Sequence, residues 1–169
     1  MTSITASSTQ TTPTVDINTT KAQMSALSLT QIAALTPTQV AALTSTQISG
    51  LSDAQVQALN GAGLVAAQLS YKDASGKTLI SVLTATQIKG LAPTEFAKLT
   101  VAQWGGFTPS QLAGITAAQL NALSTTQLQA IPVAGIAALT SSALTGLGAT
   151  KITALTTKQM SALSLTQIA

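Results

Sequence analysis

The chain has 169 residues, 46% of them hydrophobic and only 7% charged, with neither cysteine nor histidine. That excludes disulfides, thiolate metal sites and the commonest general base, and it leaves a surface made of Thr, Ser, Gln, Ala and Gly. The formal charge of +3 comes from dispersed lysines (Lys21, Lys72, Lys77, Lys89, Lys98, Lys151, Lys158) without arginine, not from the clustered cations and stacking aromatics of a nucleic-acid groove.

Residues 1–22 are rich in Thr and Ser, contain Pro13 and fall outside the pattern that follows. They read as a flexible tail or as an arm that grips a neighbouring subunit. The stretch lacks a basic start and an apolar core, so it is no recognisable Sec signal peptide. No apolar run reaches the ~18 residues of a membrane span.

From Gln23 to Ala169 one eight-residue pattern dominates, and residues 23–169 are expected to form a single repeat array. Glutamine recurs at Gln31, Gln39, Gln47 and Gln55, again from Gln87 through Gln103 to Gln127, and finally at Gln159 and Gln167, with leucines in the same phase. A fixed short period means that each unit buries its apolar face only against copies of itself. Eight steps of an unbroken α-helix would rotate the apolar positions by about 80° per repeat, so no continuous stripe would form.

The octad makes sense as a helix start. In Leu35-Thr36-Pro37-Thr38-Gln39-Val40, Thr36 is a good N-cap, Pro37 fits the first helical position, and Gln39 stands at N3. Ser/Thr-x-x-Gln is the capping box, with Leu35 and Val40 placed as a hydrophobic staple. The same box is expected at Ser28/Gln31, Thr44/Gln47, Ser52/Gln55, Thr84/Gln87 and Ser124/Gln127. Glu95 after Pro93 reads as its acidic form, and Asp53 falls in a first turn where the helix dipole favours it.

The expected fold is therefore an all-α solenoid of very short helices, one per octad, with a β-solenoid as the alternative. Two lapses of the glutamine, around positions 63–79 and 135–151, resemble each other at an offset of 72 residues: Ala62-Gly63-Leu64 aligns with Ala134-Gly135-Ile136, and Gly76 with Gly148. Seventy-two residues are nine octads, which suggests three octads per turn, with four as the competitor. The phase is expected to survive both lapses.

Chemistry-bearing clusters are absent. The acids Asp16, Asp53, Asp73 and Glu95 are far apart, unlike paired catalytic carboxylates or calcium loops; no enzyme, metal or cofactor is expected. Gly76-Lys77-Thr78 ends like a phosphate-binding loop, but Tyr71 stands where that motif needs its first glycine. Phe96, Trp104 and Phe107 occupy Ile/Val and Leu slots. They read as core filling, with Gly105-Gly106 making room, or as an aromatic patch for a carbohydrate or partner.

The Leu-Thr-x-x-Gln-Ile/Val octads of Gln23 to Ala169 resemble arrays in large secreted bacterial surface proteins of the adhesin or haemagglutinin-like kind. That resemblance implies an extracellular or cell-surface location, structural or adhesive work and export without a cleaved leader. Leu35 to Val40 also resembles the first helix of TAL-effector repeats, but the base-reading loop is missing and the likeness is one of capping chemistry.

Gln23 to Ala33 recurs letter for letter at Gln159 to Ala169, so the chain reads either as a fragment of a longer array or as a unit whose end docks on the start of another copy. Head-to-tail contacts that do not close generate filaments. The expected function is thus a structural protein of the bacterial surface, its subunits stacking on themselves into a filament or layer. The alternative is a stalk or ligand-binding segment of a secreted adhesin, with a host-surface or carbohydrate ligand. Regular Thr spacing prompts a third reading, ice or surface binding, but the capping boxes already use many of those hydroxyls.

Overall fold

The computed structural model describes residues 19–72 and 76–168. The first eighteen residues of the expected arm lie outside the described residues. Among the described residues the structure is all-helical: helices of four to six residues follow one another, and the only β pairing is an isolated bridge between Lys72 and Thr78. No helix among them is long and apolar enough to cross a membrane.

The chain forms two compact units, Met1–Leu83 and Thr84–Ala169. The first contains α1 (Lys21–Ser25), α2 (Leu29–Ala33), α3 (Pro37–Ala41), α4 (Ser45–Ile48), α5 (Asp53–Ala58), the 3-10 turn η1 (Gly61–Gly63), α6 (Ala66–Leu69) and a second 3-10 turn, η2 (Leu79–Val82). The second contains α7 (Ala85–Gly90), α8 (Pro93–Ala97), α9 (Val101–Trp104), α10 (Pro109–Leu112), α11 (Ala117–Ala122), α12 (Thr125–Ala130), α13 (Val133–Ala138), α14 (Ser141–Thr145), α15 (Ala149–Thr153), α16 (Thr157–Ser161) and α17 (Leu165–Ile168).

The regular octads are built the same way. The N-cap is extended (Thr36 has φ −68°, ψ 157°), and the helix that follows is closed by a tight return from the Leu amide to the N4 carbonyl, as in Leu43 N–H to Val40 O at 3.1 Å. The corner leucine is itself extended where it ends the helix, as at Leu91 (φ −62°, ψ 134°) and Leu123 (φ −71°, ψ 146°). The chain therefore bends at every leucine. The Thr20/Gln23 pair forms a box too, so the motif begins ahead of position 23, inside the span expected to be an arm.

Helices this short are unstable alone, because one turn fixes several dihedrals for a single hydrogen bond. Packing on the turn below holds them. In the first unit α1 packs on α4, α2 on α5 and α3 on η1. In the second, α7 packs on α10, α8 on α11 and α9 on α12, and the same step continues to α14 on α17. Most elements meet the one three places on, so each unit is a helical solenoid with three octads per turn. The interior is the N4 side chain and the corner leucine of each octad: Ile32, Val40 and Leu35 in the first unit, and Ile88, Leu120, Leu128 and Leu123 in the second, are all buried. Each such side chain contributes about 1.5–3 kcal/mol.

The first glutamine lapse departs from the expected phase. A β-carbon at Gly63 would lie 2.5 Å from the Pro37 carbonyl oxygen and 2.7 Å from Pro37 Cα, so no side chain fits at that octad position. The next helix, α6, starts early at Ala66, and Gln68 takes the N3 place, its Oε1 accepting from Val65 N–H at 3.1 Å. Val65 has no hydroxyl to complete the box. The residues thus skipped return in a turn carrying Gly76 at φ 83°, the left-handed region that favours glycine.

The second lapse stays in phase as the regular helices α13, α14 and α15, so the 72-residue likeness of the two segments does not extend to their conformation. Gly63 ends a 3-10 turn introduced by Asn60, whose Oδ1 accepts from Ala62 N–H at 3.0 Å, whereas Gly135 lies within α13 after Pro132. Among the described residues the Gly-Lys-Thr sequence is followed by the 3-10 turn η2, not by the α-helix that a phosphate-binding loop needs. Lys77 instead pairs with Asp53 at the surface.

Gly63→Ala should destabilise the fold by about 1–3 kcal/mol, the usual cost of overpacking against an unyielding backbone. Equilibrium denaturation in urea measures it, and an unchanged midpoint would refute the close approach.

Candidate functional site

In all six expected boxes, Ser28/Gln31, Thr36/Gln39, Thr44/Gln47, Ser52/Gln55, Thr84/Gln87 and Ser124/Gln127, both halves are present. The N-cap N–H donates to the glutamine Oε1 at 2.8–3.0 Å. The glutamine N–H donates to the hydroxyl at 3.2–3.3 Å. Thr108/Gln111, Thr116/Gln119 and Thr156/Gln159 do the same. At Glu95 the N-cap is Ala92, whose side chain has no acceptor, and the carboxylate pairs with Lys98 at 2.5 Å.

The amide has a second task that capping alone does not reveal. Gln119 Nε2 donates to the carbonyls of Ile88 and Leu91, both at 2.7 Å. Those carbonyls end α7, at the corner directly under the start of α11. Gln159 does the same to Leu128 and Ile131 at 3.0 and 2.9 Å, and Gln167 to Leu139 at 2.7 Å. In the first unit Gln55 reaches Met24 and Leu27 at 3.2 and 2.7 Å, and the displaced Gln68 reaches Val40 and Leu43 at 2.7 and 3.0 Å. One side chain therefore caps its own helix with oxygen and clamps the turn below with nitrogen.

Gln55, Gln119 and Gln159 are buried, so both ends of the amide must be satisfied or the burial is costly. The sequence carries a signal for this. N3 is Gln in every complete box described above, and Glu stands there only at Glu95, although a carboxylate would cap a helix equally well. Only the amide brings a donor. At Lys151 the ammonium replaces it, donating to the Leu123 carbonyl.

A second set of bonds runs the other way along the surface. Asn121 Nδ2 and Gln129 Nε2 donate to the Gly146 and Ala154 carbonyls of the following turn, each at 2.8 Å, and Gln57 reaches Val82 at 3.2 Å. At Ala143, where an octad glutamine is missing, a half-open cavity of about 230 Å³ lies between residues 113–117 and Thr140 to Ala143, with Lys89 on its rim.

Phe96, Trp104 and Phe107 form an interior cluster, not a surface patch. Phe96 meets Trp104 edge-on at 5.2 Å, and Trp104 lies 5.3 Å from Phe107. All three are buried, so no ring face is offered to a sugar. Gly105 makes no room for them, because a β-carbon there would meet nothing nearer than the Ala102 carbonyl at 3.7 Å. Trp104 Nε1 is the one buried side-chain polar atom without a partner among the described residues. No group of acids or other ligating side chains capable of holding a metal occurs among them.

The end of the second unit differs from its interior. Leu165 and Ile168 are 82% and 60% exposed, and Ile152 and Met160 39% and 40%, whereas Met24, Ile32 and Val40 of the first described turn are fully buried. A cleft of about 300 Å³ opens there between Leu144, Ile152, Leu155, Met160 and Ile168. The Leu147 and Leu155 carbonyls accept no hydrogen bond among the described residues. Comparison with known protein families, with characterised proteins and with solved structures finds no match.

Gln119→Glu should separate the two halves of the clamp. The carboxylate still caps Thr116 but turns oxygen toward the Ile88 and Leu91 carbonyls. Loss of a buried donor predicts about 1–3 kcal/mol of destabilisation. Its burial raises the introduced acid's folded pKa, so the penalty grows as pH rises past the ordinary glutamate value of about 4.3 and fades below it. Thermal melts at pH 3.5 and 7 test this; equal losses at both would refute the donor role.

Proposed function

We propose that the chain is a structural subunit of the bacterial cell surface whose copies stack head to tail into an extracellular filament or surface layer. The observation that carries this reading is the uncovered apolar end of the second unit, with Leu165, Ile168, Met160 and Ile152 exposed around a cleft. Large exposed apolar patches mark interaction sites. The occupant is a second copy, because the first turns of the array repeat the last ones in sequence from Gln23 to Ala33 and from Gln159 to Ala169.

Contacts that continue a screw do not close, and so propagate. A surface with 7% charged residues offers little self-repulsion to oppose them. The bacterial and extracellular setting rests on the resemblance of the octads to secreted surface arrays. No buried constellation of acid, base or metal ligands competes with a structural role among the described residues.

Negative-stain electron microscopy of the purified chain across a concentration series tests the reading. Fibres of uniform width are expected above a threshold. In a variant carrying Leu165→Lys and Ile168→Lys the threshold should rise at least about tenfold, since each apolar group removed from an interface costs about a decade of affinity. Both positions are exposed, so the melting temperature should stay within a few degrees. Monodisperse particles at every concentration of the unaltered chain would sink the proposal.

A further inference from the structure

We propose that the cavity beside Ala143 binds a small primary carboxamide, which takes the place that a glutamine side chain fills in the regular octads.

Within the second unit the clamp keeps one register. Gln119 and Gln159 donate Nε2 to carbonyls 31 and 28 residues earlier, Ile88 and Leu91 in the one case and Leu128 and Ile131 in the other. Counted back from position 143, that register falls on Leu112 and Ile115. Ala143 stands at N3 of α14 and has no amide to offer. The Leu112 carbonyl still takes the return bond from Ile115 N–H at 3.1 Å. The carbonyl of Ile115, a residue only 2% exposed, accepts no hydrogen bond among the described residues. Buried carbonyls normally find a donor.

The other two octads of the second lapse close the corresponding place. At Gly135 a β-carbon would lie 2.2 Å from Leu112 Cδ1, so a leucine side chain already fills the space. At position 151 the chain supplies its own donor, the Lys151 ammonium reaching the Leu123 carbonyl. At Ala143 neither happens. The cavity of about 230 Å³ opens there between Ile115, Thr116, Thr140 and Ser142, with the buried Ala143 in its wall.

The lining selects the ligand. The Ile115 carbonyl calls for a donor. Thr140 N–H, which would meet a glutamine Oε1, has no acceptor among the described residues, although Thr140 Oγ1 accepts from Ala143 N–H at 3.2 Å. An anion is repelled by the carbonyl oxygen, and a cation by the Lys89 ammonium on the rim. A neutral planar group with both N–H and C=O answers both needs. In the regular octad one carboxamide makes the same pair of bonds: Gln119 Oε1 accepts from Thr116 N–H at 2.9 Å, and its Nε2 donates to the Leu91 carbonyl at 2.7 Å. Ala143 supplies the β-carbon of such a glutamine, and acetamide supplies the remainder. Water meets these groups singly, and a carboxamide displaces it without losing a bond.

The test is a titration of the isotope-labelled chain with acetamide, followed by NMR of the backbone amides. The Thr140 resonance should move saturably, with half-saturation in the millimolar range that suits so small a ligand. Acetate and N,N-dimethylacetamide, which lack the N–H donor, should give no saturable shift. In Ala143→Gln the tethered amide should abolish acetamide binding and raise the melting temperature by a few degrees, the scale of one to two hydrogen bonds gained. Ala143→Leu, which fills the space without a donor, should abolish binding without that rise. N-acetylglutamine methylamide distinguishes the source of the amide: saturation by it as well brings protein side chains into the ligand class, and saturation by acetamide alone confines the class to free small amides. A Thr140 shift that never saturates, or that dimethylacetamide reproduces, would overturn the proposal, as would undiminished acetamide binding in both variants.

Discussion

Within each unit a buried side-chain amide joins one turn to the turn below, and its two ends do different work. A helix of four to six residues has hardly any interior: nearly every backbone group lies within a turn of an end, where the helix provides no partner. A stack of such helices therefore meets the desolvation problem at each octad. The glutamine at N3 addresses both sides of it. Its oxygen accepts the N-cap N–H of its own helix, and its nitrogen donates to the carbonyls at the corner beneath, as Gln119 does between Thr116 and the pair Ile88 and Leu91. Because the same group is buried, neither bond is optional.

This requirement accounts for the octad length. Four to six helical residues bring the N4 side chain and the corner leucine into the interior, and two more place the next hydroxyl and its amide above the corner of the turn below. Three such units return the chain over itself, so the clamp and the helix-on-helix contact recur together. Ile, Leu and Val fill the narrow interior, and the aromatic cluster of Phe96, Trp104 and Phe107 is a local variation of the same slots. Its cost is visible in the unpartnered Trp104 Nε1, a buried donor that a leucine would not have introduced.

Much of the local structure is legible in the residues themselves, because capping is a short-range chemistry. Thr36-Pro37-Thr38-Gln39 contains all the atoms of its own box, and so does Ser124 with Gln127. The clamp is harder to see, because it joins Gln119 to Ile88 across 31 residues and depends on how many octads make one turn. The persistent choice of Gln over Glu is its only trace. The first lapse is misread for a related reason. Its cause, the approach of Gly63 to Pro37, lies one turn away, and nothing in the residues nearby announces that Gln68 will take over three places early. The aromatic slots are legible as core by their phase, yet the idea that Gly105 yields space fails, since the backbone there faces open volume.

A coil held in this way has no contact special to its middle. Within each unit a turn offers the turn above corner carbonyls and an apolar floor, and meets the turn below with amide donors such as Gln55 and Gln119. An interface between molecules built from the same parts would need no new shape or chemistry, only the next octads in phase. That separates the proposed assembly from ordinary oligomers, whose interfaces are patches distinct from the core. The scarcity of charge along the chain would keep successive copies from repelling one another.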